Sequence, residues 1–184
     1  KGDRRRMFNL GNRLWHTDSS FRNIPSKFSI LSCRSSPKVG GNTEFSFMPA
    51  VYDELDEGTK QEIADLITEH SLIYSRGQLG FSDFNEEEKQ MFRPVQHVMV
   101  RINEFTKRKS IYLSSHIGKI LGWEIPEGRD FIRELMEFAT QRHFVYAHEW
   151  KPGDLVMWDN RQCMHRVRPF KDTGEKRDMR RTTV

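Results

Sequence analysis

The sequence predicts a mainly β domain with helical insertions, on three observations. Short runs of alternating apolar and polar residues recur along the chain. Gly- and Pro-bearing turns separate them. The stretches of helical periodicity interrupt the strands without alternating with each one, which favours a β-sandwich or barrel over a doubly wound parallel sheet.

Residues 1–12 are polar and basic and read as a loop or an ordered edge. Residues 28–33 alternate and predict a strand, and 43–48 predict another. Pro37, Gly40 and Gly41 make the turn between them. Over 50–68, Val51, Leu55, Ile63, Leu66 and Ile67 share one side of a helix with acidic first turns. Residues 71–75 read as a short strand, 77–85 as a loop and 86–92 as a charged helix. Strands at 95–101 and 110–114 flank a polar turn. Pro126 opens a second amphipathic helix to residue 140, with Phe131, Leu135, Met136 and Phe138 apolar. Strands at 144–150, 155–158 and 179–184 complete the chain, with Pro152 and Gly153 turning between the first two. No internal repeat or low-complexity linker is present.

The 184 residues, 36% of them hydrophobic, suit one compact domain with a core. The net charge of +4 reflects basic residues clustered near both ends. No zinc finger, helix-turn-helix or aromatic RNA motif accompanies that charge, so nucleic acid is not the expected partner. An anionic small molecule needs arginine just as much. Cys33 and Cys163 form no C-x-x-C pair, which argues against a thiolate zinc site and for free thiols in a reducing cytoplasm. No apolar run approaches a membrane span. The chain opens on Lys1 in a polar stretch, so an upstream segment is expected to be missing.

Three stretches carry chemistry. In the first, Leu14-Trp15-His16-Thr17-Asp18, an imidazole and a carboxylate two residues apart point to the same side of an extended chain and can reach one metal ion. A surface histidine beside a capping aspartate gives the same tripeptide. In the second, the turn at Gly153-Asp154 feeds an apolar strand to Trp158, then the corner Asp159-Asn160 and His165. A second imidazole from a distant strand would complete a two-histidine, one-carboxylate face. A hydrogen-bonded core histidine is the plain alternative. In the third, alternation puts Arg177, Met179 and Arg181 on one side of the last strand. A buried arginine there needs an anion, and a carboxylate is the natural one. A solvated basic edge strand would also fit.

Taken in order, "LWHTDSSF", "GGNTEFS", "FVYAHEW", "GDLVMWDNR" and "EKRDMRRTTV" resemble the taurine and 2,4-dichlorophenoxyacetate dioxygenase (TauD/TfdA) family. Within it the likeness is greater to the phenoxyacetate dioxygenase than to the taurine enzymes. The resemblance implies a double-stranded β-helix (a jelly roll, cupin-like) and a dioxygenase using Fe(II), 2-oxoglutarate and O2. It makes His16, Asp18 and His165 the iron ligands. It assigns Thr43 and Arg177 to the distal carboxylate of 2-oxoglutarate, and Arg181 to the substrate's anionic group. His116 becomes a candidate for the substrate pocket. The stretch from His165 to Arg177 is slightly longer than in familiar members, which leaves open which arginine takes which role. His148 reads as a core or supporting residue, Asp159 and Asn160 as organisers of the corner, and Trp15 and Trp158 as core. His70, His97 and His143 carry no signal beyond packing or surface.

The expected substrate is a small organic anion, with ether cleavage if it is an aryloxyalkanoate. A sulfonate substrate and a cupin-like metal enzyme without 2-oxoglutarate are the alternatives, and a metal-free binding protein is a third. Residues 1–184 are expected to form a single catalytic domain that lacks an N-terminal part of the family fold. A cytoplasmic homo-oligomer is expected, with no membrane or nucleic-acid partner.

Overall fold

The computed structural model describes residues 4–171 and 174–184. The first three positions of the basic terminus lie outside the described residues. The rest of that terminus is ordered: α1 (Arg4–Asn9) runs into a 3-10 turn at Leu10–Arg13, where the sequence suggested a loop or edge. Arg4 anchors it through Glu88 at 2.7 Å.

Strands β1 (Phe28–Ser35) and β2 (Thr43–Phe47) fall where alternation predicts. Met48 then opens α2 (Met48–Glu54), with Pro49 in its first turn. The single helix predicted over 50–68 is broken into α2, α3 (Glu57–Ile63) and a strand, β3 (Ile67–His70). Asp56 is the cause. It is extended, and its carboxylate accepts the Thr59 amide at 3.0 Å, so it caps a new helix where the apolar period would have continued the old one.

The strand predicted at 71–75 is instead α4 (Leu72–Gly77), capped by Ser71, whose hydroxyl accepts the Tyr74 amide. Helix α5 (Glu86–Met91) begins with an Asn85–Glu88 capping box. The run at 95–101 becomes two strands, β4 (Val95–Val98) and β5 (Val100–Ile102). The chain changes partner at Met99, which is fully buried and bonds Leu66 and Tyr112 through its backbone. Strand β6 (Lys109–Ile111) follows, then β7 (Ile117–Ile120), which the sequence did not signal.

Helix α6 (Ile125–Ala139) has Pro126 in its first turn and buries Gly128, Ile132, Leu135 and Ala139, a stripe at helical spacing. Strands β8 (Val145–His148), β9 (Leu155–Asp159), β10 (Cys163–Val167) and β11 (Asp178–Thr183) complete the chain. Of these, β10 is longer than the polar corner anticipated there, because it pairs with β2 along its whole length.

All recorded pairings are antiparallel. One sheet has the order β11-β1-β9, a second β10-β2-β8, and a third β4-β3-β7, beside a β5-β6 ribbon. The structure is therefore mostly sheet with helices. Helices α2 and α6 cover a core that includes Val51, Ile63, Met99, Ile111, Leu113 and Met164. Each fully buried aliphatic chain contributes roughly 1.5–3 kcal/mol. The first two sheets, β11-β1-β9 and β10-β2-β8, contribute opposite walls of one cavity. None of the described helices is long and apolar enough to cross a membrane.

Candidate active site

The extended segment after the 3-10 turn lies against β10. His16 and His165 exchange both backbone hydrogen bonds, at 3.0 and 2.9 Å, as an isolated antiparallel bridge. Directly paired residues project to the same face, so the two imidazoles stand side by side, ring centres 4.3 Å apart. Asp18, two residues on, returns to that face. One ligand atom from each of His16, Asp18 and His165 lies within 4.8 Å of the others, and all three residues are buried.

Protonation favours metal binding at this cluster. His16 Nδ1 lies 2.7 Å from the Leu14 carbonyl oxygen. A carbonyl only accepts, so Nδ1 carries the hydrogen and Nε2 keeps a free lone pair facing Asp18. Burial pushes His165 down to about 3, helped by His16 and opposed by Asp18, so it is neutral at ordinary pH. Burial would raise the Asp18 carboxyl. The neighbouring His16, His165 and Arg181 outweigh it and hold Asp18 well below the usual carboxylate range. Two imidazoles and one carboxylate form a donor set that fits a divalent transition-metal ion and leaves positions open.

The carboxylate is itself held. Ser29 donates to Asp18 Oδ2 at 2.7 Å, and Asn160 donates to Ser29 at 2.8 Å. The Asn160 side-chain oxygen accepts from Trp158 Nε1 at 3.0 Å and from the Asp18 amide at 3.3 Å. Asn160 thus organises the corner, as its place in the sequence suggested. Asp159 does so differently, by gripping Arg161 and Gln162. Ser29 was missed, because a serine in a strand carries no signal until folding sets it against Asp18.

A cavity of about 210 Å³ opens from the histidines. His16, His165 and Thr43 line it from one side, and Leu31, Arg177, Met179 and Arg181 from the other. The predicted alternation of β11 thus holds. Arg177 is anchored by its Nε to the Gly41 carbonyl at 3.1 Å, and burial lowers its pKa. Gly41 has a φ of +72°, and a Cβ there would meet Arg177 Cδ at 3.3 Å, so glycine suits both the turn and the arginine. Arg181 reaches Asp18 Oδ1 at 3.3 Å.

His116 is not part of the cavity wall. It stands behind His16, ring centres 6.4 Å apart, with Nδ1 on the Ser75 hydroxyl at 2.8 Å. His148 is half-buried and bonds Asp154, a supporting place. Trp15 and Trp158 are both buried in the core, as read, and Trp158 also lines the cavity with its ring 4.7 Å from His165. Cys33 and Cys163 are both free.

This constellation could hold a single metal ion. Residues 1–183 match the family described as taurine catabolism dioxygenase TauD, TfdA family, and the chain belongs to it. It is 42% identical to an alpha-ketoglutarate-dependent 2,4-dichlorophenoxyacetate dioxygenase of Burkholderia sp. (strain RASC), over 96% of this chain and 59% of that protein. It is 36% identical to an (S)-phenoxypropionate/alpha-ketoglutarate-dioxygenase of Sphingobium herbicidovorans, over 92% of this chain and 61% of that one. The chain thus spans about three-fifths of the curated relatives it matches. Among solved structures, AAD-2 in complex with Mn(II) and N-oxalylglycine superposes with a TM-score of 0.93 at 60% identity, covering 97% of this chain and 71% of that one. A taurine dioxygenase from Burkholderia xenovorans gives a TM-score of 0.80 at 25% identity, covering 95% and 57%.

Proposed function

We propose that this protein is an Fe(II)/2-oxoglutarate-dependent dioxygenase acting on a small organic anion, on a double-stranded β-helix of the jelly-roll type. One observation carries the reading. The His16, Asp18 and His165 cluster opens onto the same cavity as Thr43, Arg177 and Arg181.

In this reading His16, Asp18 and His165 hold the iron. Bound iron and 2-oxoglutarate together supply the oxidative decarboxylation and the oxygen transfer to a substrate C–H bond. The chain supplies positions and charges. Arg177, with its Nε fixed on Gly41, turns its terminal nitrogens to the distal carboxylate of 2-oxoglutarate, and the Thr43 hydroxyl joins it. Arg181 stands nearer the histidines and is half-exposed. It leaves Asp18 to pair with the substrate's carboxylate, which places the adjacent C–H bond near the metal. Oxygen insertion next to an aryl ether oxygen gives a hemiacetal, which collapses with ether cleavage. An aryloxyalkanoate is favoured over a sulfonate by what the two phenoxyalkanoate-named relatives act on. His116 acts from behind His16. The enzyme is placed in the cytoplasm, consistent with its two free cysteines, and as a homo-oligomer, which light scattering checks.

The test is an anaerobic titration with Fe(II) and then 2-oxoglutarate, followed by visible absorption. A metal-to-ligand charge-transfer band is expected, forming at higher 2-oxoglutarate concentration in Arg177→Ala. No band in folded, iron-loaded protein would overturn the proposal. With the band in place, succinate formation is compared across aryloxyacetates and taurine. The aryloxyacetates are expected to stimulate it more.

A further inference from the structure

The Thr43 hydroxyl has a fixed polarity. Its oxygen lies 2.9 Å from Trp150 Nε1, and both side chains are buried. An indole N–H donates and never accepts. Thr43 must therefore accept on that side, and its own hydrogen points elsewhere. No acceptor for that hydrogen occurs among the described residues, and the side chain lines the cavity beside Arg177.

Trp150 is held at both its ring and its backbone. Its ring meets His148 edge-on, centres 4.5 Å apart, and His148 Nε2 lies 3.0 Å from Asp154 Oδ2. The Trp150 carbonyl accepts from the Ser36 hydroxyl at 2.8 Å. Phenylalanine at this position would keep an aromatic ring, smaller than the indole, and remove the N–H.

We infer that Trp150 is a positioning residue whose N–H turns the Thr43 hydroxyl into a donor toward the distal carboxylate of 2-oxoglutarate. This rests on the function proposed above. A threonine free to rotate would present a lone pair to that carboxylate in some of its orientations, a repulsive arrangement. The Trp150 bond removes them before the ligand arrives. Thr43 and Arg177 then both offer hydrogens to one anion, without rearrangement on binding.

The discriminating probe is a pair of 2-oxo acids. Both 2-oxoglutarate and 2-oxobutanoate carry the 2-oxo acid end, but only the first has a distal carboxylate. Binding of each to the anaerobic Fe(II)-loaded protein is measured by calorimetry, for wild type and Trp150→Phe. The variant is expected to bind 2-oxoglutarate about tenfold more weakly, with 2-oxobutanoate and iron affinity unchanged. In a Thr43→Val background, Trp150→Phe is expected to add nothing further. Equal loss for both acids, or no loss for either, would overturn the inference and leave the dioxygenase reading standing. A wild-type protein that binds neither acid would overturn both. If Trp150→Phe does not fold, indole hydrogen exchange in unmodified protein carries the test. Addition of 2-oxoglutarate, but not 2-oxobutanoate, is expected to slow one indole N–H, and the same N–H is expected to exchange faster in Thr43→Val. No such change would overturn the inference.

Discussion

Two groups of buried histidines lie in this molecule, and they differ in chemistry. His16 and His165 face each other with Asp18 between them and a cavity beyond. His70 and His97 also meet, ring centres 5.0 Å apart, but their company is Tyr112 and Arg101. The Thr68 hydroxyl donates to the His97 carbonyl at 3.2 Å, so it can only accept from His70 Nε2, at 3.0 Å. His97 Nε2 donates to the Ser20 and Arg22 carbonyls. Both ε nitrogens of this second pair therefore carry hydrogens and face protein acceptors, not an ion. Burial lowers the pKa of both, and the Arg101 charge adds to the effect. A nearby carboxylate and an unblocked Nε2 separate a metal centre from a packed pair, and burial alone does not.

The largest effect that would break this contrast comes from Asp18. Asp18→Ala is expected to lower Fe(II) or Mn(II) affinity by more than about 100-fold, since removing even a supporting residue costs 10–100-fold. Anaerobic calorimetry reads it, and His70→Asn should leave the metal affinity unchanged. Next comes Ser29→Ala, which strips a donor from Asp18 Oδ2 without touching a ligand. It is expected to weaken metal binding about tenfold, while Ser75→Ala, on the far side of His116, has no such effect.

The pH dependence sharpens the contrast through stability. Burial pushes His70 and His116 well below the ordinary histidine value of 6.5. Above pH 6.5 each is neutral both folded and unfolded, and neither affects stability. Below it the unfolded chain takes up protons that the fold refuses, so stability falls as pH drops. Each histidine contributes a slope of at most about 1.4 kcal/mol per pH unit. Urea unfolding between pH 7 and 5 should show the fall, and His70→Phe should flatten it. The smallest effect is at Arg101, whose guanidinium lies 3.4 Å from the Tyr112 ring centre. Arg101→Met is expected to cost about 1 kcal/mol of stability and to leave metal affinity alone.

The sequence disclosed the reacting end of the molecule better than its frame. The H-x-D spacing, the strand before the Asp159-Asn160 corner and the alternation of Arg177, Met179 and Arg181 are local patterns, and local geometry keeps them. The frame depends on competition between signals. At Asp56 a capping carboxylate overrode a continuous apolar period, and at Met99 one apolar run was divided between two partners. Strand β7 is short and holds a glycine and a lysine, so it forms only because β3 is there to pair with. Ser29 and Trp150 were invisible for a related reason. Each matters through one hydrogen bond to a residue remote in the chain, and no spacing rule reaches that far.

The reciprocal backbone bridge between His16 and His165 also constrains how the protein can change. Side chains along an extended pair alternate, so a shift of one residue on either segment would turn an imidazole away from its partner. Loops such as that between β5 and β6 can lengthen or shorten without disturbing the cluster. Between Leu14 and Asp18, and along β10, the admissible length change is zero. Insertions in related chains should therefore be absent from these two short windows, whatever substrate each has come to use.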